Sequence, residues 1–183
     1  MIDPKNITNY NRTRVELEEF LLFAICVAGK SSSQIAPKIN ALCAEAKDCG
    51  DTPLEYLAWM IHQGELLGVL QQYKLGKYNT LVQSFKDILN LNLRSCTVDD
   101  LEACHGIGPK TARFFLLHSR PNQKFAVLDT HLLKYVREHI DPSAPKQTPS
   151  GKRYKDIEKK VLDNVQVDNW ADFDLGVWAS YAK

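Results

Sequence analysis

Gly106-Ile107-Gly108-Pro109-Lys110 and, nineteen positions after the lysine, Asp129 are the residues of this chain whose types and spacing could do chemistry together. Glycine has no Cβ and reaches positive φ at little cost, so a Gly-x-Gly turn lets backbone come close to a phosphate. A helix that starts at Pro109 presents free amide N–H groups and the positive end of its dipole to the same anion. Such a turn grips a nucleic-acid backbone without reading bases. Lys110, in the first turn of that helix, could simply hold a phosphate. It could also be a nucleophile, if the helix end, desolvation and the nearby Arg113 disfavour its ammonium form. Asp129 could serve only as a helix cap, or it could cap and also face a developing positive charge.

The elements that must position these groups read as helices throughout. Thr13-Arg14-Val15-Glu16 and Thr52-Pro53-Leu54-Glu55 are capping boxes, each opening a helix with apolar residues at helical spacing. Further helices are expected over 34–46, with Pro37 in the first turn, over 66–73, and over 81–91, capped by Asn79 or Thr80. Thr97 caps a short helix to about Cys104, and Pro109 starts one that runs to about His118. Residues 125–128 are too few to imply a sheet. Asp129 caps a helix to His139, residues 141–151 form a Pro-rich loop, and helices over 152–164 and 170–181 complete the chain. No segment alternates as a strand would, so the expected class is all-α.

Composition sets the remaining bounds. The length of 183 residues suits one domain or two small lobes with a substantial core. The longest apolar run, Phe20 to Gly29, is too short to span a bilayer, and no signal peptide is expected. Five cysteines form no CxxC pair and read as reduced thiols. The net charge of +1 conceals local bias. Between Cys104 and Arg137, Asp129 is the only acid among Lys110, Arg113, Arg120, Lys124, Lys134 and Arg137. Lys146 to Lys160 forms a second basic stretch, which would also suit a solvated helix face.

The segments 106–112 and Val127-Leu128-Asp129-Thr130-His131 together resemble the signature of the helix-hairpin-helix DNA glycosylase superfamily. Residues 20–38 are similar to the helix and loop that open its catalytic core. The resemblance implies an all-α, two-lobed fold with the active site in a cleft: 30–125 would form the central lobe, and 1–29 with 126–183 the other. A lysine at the position of Lys110 marks members that are both glycosylase and abasic-site lyase, with Asp129 as the catalytic carboxylate. No cysteine follows Cys104, so the iron–sulfur cluster of some branches is not expected. A monovalent cation at the hairpin is the one ion that the resemblance would allow.

A short, cluster-free, lysine-bearing chain is similar to the compact second type of 8-oxoguanine glycosylase, which ends in a lysine as this chain does at Lys183. The implied reaction excises an oxidised base, 8-oxoguanine favoured, through a Lys110 Schiff base, and nicks the strand by β-elimination. The alternatives are the same enzyme acting on another base, or a noncatalytic DNA-binding module. Gly106, Gly108, Lys30 and Arg113 are the candidate DNA contacts. Phe114, Trp178 and Lys183 are the candidate base-pocket residues, although Phe114 and most of the aromatics near Trp178 would also suit a core, and Lys30 a solvated loop. The expected partner of this presumed monomer is duplex DNA carrying a damaged base, with no membrane partner. Its compartment would be the cytoplasm and nucleoid of a prokaryote or the nucleus of a eukaryote.

Overall fold

The computed structural model describes residues 1–181, and those residues form ten helices and no strand, in line with the all-α class. Packing divides the chain once, between Ile107 and Gly108. The sequence reading places its boundaries elsewhere, at 29/30 and 125/126. The first unit holds α1 (Arg14–Cys26), α2 (Ser32–Asp48), α3 (Pro53–Gln63), α4 (Leu66–Gln72), α5 (Tyr78–Ile88) and α6 (Val98–Glu102). The second holds α7 (Pro109–Ser119), α8 (Thr130–His139), α9 (Gly151–Asn164) and α10 (Trp170–Tyr181).

In the first unit α1 is the central element. It buries every residue from Phe20 to Cys26 and packs on α2 and α3, which keeps residues 14–26 with the segments that follow them. The capping boxes of Thr13, Thr52 and Thr97 form as their sequences require. Glu18, although buried, is satisfied: its carboxylate accepts from Arg14 Nε at 2.9 Å and from the Leu54 amide of α3 at 3.0 Å. Two helix starts differ from expectation. α2 begins at Ser32, so Pro37 lies inside the helix rather than in its first turn. Pro37 and Ser33, whose carbonyl loses its donor, are both exposed, and water can satisfy that carbonyl. α5 begins at Tyr78, after Lys77 in the left-handed region at φ 49°, and not at an Asn79 or Thr80 cap.

In the second unit α10 packs on α7 and α8. The core gathers Leu128, Leu132, Leu133 and Val136 against Tyr154, Val161 and Val177. The segment before α8 runs through this core without a sheet, so side chains must satisfy its backbone groups. The fully buried Tyr154 hydroxyl donates to the Ala126 carbonyl at 2.8 Å and accepts from the Leu128 amide at 3.0 Å. Glu158 accepts from the Ala126 amide at 3.2 Å, and Thr148 donates to the Leu128 carbonyl at 2.8 Å. The Asp129 amide closes a tight turn onto the Val127 carbonyl at 2.6 Å. Distant parts of the unit thereby fix the backbone that carries Asp129.

Candidate active site

The hairpin glycines have different reasons to be glycine. Gly106 sits at φ 74°, and a Cβ there would lie 2.6 Å from Thr80 Cγ2 and 2.8 Å from Ser84 Oγ. The turn is pinned to α5 at that point: the Ser84 hydroxyl lies against the His105 carbonyl at 2.5 Å, and the His105 amide donates to Asp87 at 2.8 Å. Gly108 is the α7 N-cap at φ −90°, with open space where a Cβ would go. It needs no left-handed backbone. No side chain caps α7, and Pro109 occupies its first turn.

Lys110 follows, half-buried, with its Nζ 4.9 Å from the centre of the Phe114 ring one turn on. Desolvation pushes its proton affinity below that of an ordinary lysine, opposed by the charges of Asp129 and Asp174. Arg113 is not among the causes of that shift. It is 4% exposed, its Nε lies 2.7 and 2.8 Å from the two Glu158 oxygens, and its Nη1 donates to the Pro109 carbonyl at 3.2 Å. Arg113, a candidate DNA contact in the sequence, is thus half of a buried ion pair.

Asp129 caps α8 as its position implied. Its Oδ1 accepts from the His131 amide at 2.9 Å and from the Leu132 amide at 2.8 Å. Both cap bonds use one oxygen, which leaves Oδ2 out of the cap. Asp129 acts electrostatically on Lys110, so the two groups that the sequence nominated are coupled in the second unit.

Two members of the cluster were not nominated. Asp174 of α10 feels the charges of Lys110 and Asp129, and its Oδ2 is 3.1 Å from Nε2 of the fully buried His118 of α7. Desolvation raises the proton affinity of Asp174 above the usual carboxylate range; the His118 hydrogen bond and Lys110 oppose this and Asp129 adds to it. The Phe114 ring meets the His118 ring edge-on, 4.9 Å between centres. The signal for Asp174 was its place, with Asp172, in the mostly apolar run 170–181.

Trp178 is 46% exposed, and its ring meets that of His131, two residues beyond Asp129, edge-on at 6.3 Å. Lys183, also expected in the base pocket with Phe114 and Trp178, lies outside the described residues. In the first unit Lys30 is half-buried, and its ammonium is bonded to the Leu75 carbonyl. Lys77 reciprocates onto the Ala28 carbonyl at 2.9 Å. Lys30 is not the solvated loop residue that one reading allowed; it stitches two loops, and burial lowers its proton affinity.

Among the described residues no group of three or more His, Cys, Asp or Glu side chains could hold a metal ion. No helix among them is long and apolar enough to cross a membrane. No family model matches the chain, and no curated protein or solved structure matches it either.

Proposed function

We propose that the protein is a bifunctional DNA glycosylase and abasic-site lyase with the two-lobed architecture of the helix-hairpin-helix superfamily. Its substrate would be duplex DNA carrying an oxidised base, with 8-oxoguanine the first choice. The observation that carries this reading is the juxtaposition of a desolvated Lys110 amine with the cap-fixed Asp129 carboxylate. A protein that only held phosphate would need the glycine turn and a cation. It would have no use for an amine whose proton is weakly held, nor for a carboxylate beside it.

In the proposed reaction the damaged nucleotide is swung out of the duplex. The neutral Lys110 amine forms a bond to the sugar C1′ as the C1′–base bond breaks and its electron pair leaves with the base. Asp129 faces the positive charge that builds on the sugar, as carboxylates do in glycoside hydrolysis. Ring opening gives a Schiff base on Lys110, and β-elimination then nicks the strand.

Borohydride trapping on a panel of lesion duplexes tests the proposal. The wild type should form a covalent adduct with at least one of them, and Lys110→Gln should form none. Trapping that persists in Lys110→Gln would remove Lys110 from the role. Asp129→Asn should still bind DNA but release the base about 100-fold or more slowly, the scale on which loss of a preorganised electrostatic group acts. A wild type that binds duplex and never traps would identify a noncatalytic DNA-binding module.

A further inference from the structure

Resting on that reading of the site, we infer that Asp174 is a second catalytic carboxylate: it donates the proton that the departing base takes up, while Asp129 remains the anion that faces the sugar.

The inference starts from position. Asp174 and Trp178 stand four residues apart on α10, hence on one face of the helix. Trp178 is the exposed aromatic of that face, and its ring abuts His131 beside Asp129. A base stacked on Trp178 would present its edge to a side chain one turn away. That side chain is a carboxylic acid with one oxygen committed. His118 Nε2 holds Oδ2 at 3.1 Å, and Oδ1 is left for a ligand.

The two carboxylates are dressed for different work. Asp129 is held in place by two backbone amides at the head of α8. Asp174 accepts no backbone amide and is nearly buried, its side chain 15% exposed. Desolvation and the Asp129 charge favour its neutral acid, against His118 and Lys110. Lys110 and His118 on α7 and Asp129 at the head of α8 are the charged groups that act on Asp174, and Asp174 in turn raises the proton affinity of the Tyr154 phenol of α9. A nearly buried carboxyl group whose surroundings favour its neutral form is suited to donate a proton.

The step balances. The Asp174 O–H bond breaks and its proton goes to the base as the C1′–base bond breaks and the electron pair departs with the base. The Lys110 nitrogen forms the new bond to C1′. Its surplus proton is lost to water, and water returns a proton to the Asp174 carboxylate, which restores the acid.

Protonation of a base matters only while a base is attached, so a duplex with a preformed abasic site separates this step from Schiff-base formation. Asp174→Asn should slow single-turnover base release about 100-fold or more, the usual contribution of a positioned acid. It should trap the preformed abasic site within about two-fold of wild type, since that chemistry bypasses the acid. His118→Gln should show the same asymmetry, more weakly. In the wild type, base release should fall with rising pH as Asp174 loses its proton, while abasic-site trapping does not fall in parallel. Equal loss of both reactions in folded Asp174→Asn, loss of neither, or parallel pH profiles would overturn the inference and leave the glycosylase reading standing. A wild type that traps neither duplex would sink that reading itself.

Discussion

At the scale of single residues, chemistry and folding compete for the same side chains, and burial decides which side wins. Arg113 and Lys110 are both cations in the first turns of α7, yet Arg113 faces inward to Glu158 and Lys110 keeps access to Asp129 and Asp174. Removing one partner of a buried pair strands the other charge, typically at a cost of about 3–5 kcal/mol. Glu158→Gln also weakens the acceptor of the Ala126 amide, so its unfolding free energy, measured by urea titration, should fall by an amount in that range, whereas replacing both partners with apolar residues of similar volume should cost much less. Lys110 and Asp129 were legible because their spacing from the glycines is written in the chain. The inward direction of Arg113 was not, because the helical pattern alone cannot say which face of α7 meets α9. His118 and Asp174 were hidden for a similar reason: their meeting depends on two helices far apart in sequence.

At the scale of elements, the hairpin shows how two like residues carry different constraints. Gly106 has a left-handed backbone and no room for a methyl group, while Gly108 has neither restriction. Gly106→Ala should destabilise the protein by about 2 kcal/mol or more, combining left-handed strain with overpacking against Thr80 and Ser84. Gly108→Ala should change the melting temperature little, and any loss it causes should appear in DNA affinity. Comparable melting temperatures for the two variants would contradict the packing described at Gly106. The capping boxes were readable at once, since their partners lie three residues apart. The start of α5 was not: its left-handed Lys77 reaches across to the Ala28 carbonyl, a contact that no local pattern announces.

At the scale of the whole molecule, a net charge of +1 would leave the proposed DNA binding to local basic surface. The logarithm of the binding constant should therefore fall linearly with the logarithm of salt concentration, at about 0.9 per phosphate neutralised. Lys110→Gln should leave that slope unchanged if Lys110 is a nucleophile. A decrease of about one would reveal a phosphate ligand instead. The all-helical character was legible from periodicity along the chain. The single division at 107/108 was not, because a unit is defined by which helices pack together, and the sequence displays only the order in which they follow one another.

The cap of α8 has an evolutionary consequence. Oδ1 of Asp129 supports the helix, and the carboxylate's charge serves the proposed reaction. Selection on the fold alone would accept any short side chain with a capping oxygen, so Asn, Ser or Thr would do as well. Only selection on the charge distinguishes Asp from them. A lineage that lost its need for the reaction could drift at this position without losing α8. The helix would then survive as a relic of a chemistry it no longer hosts.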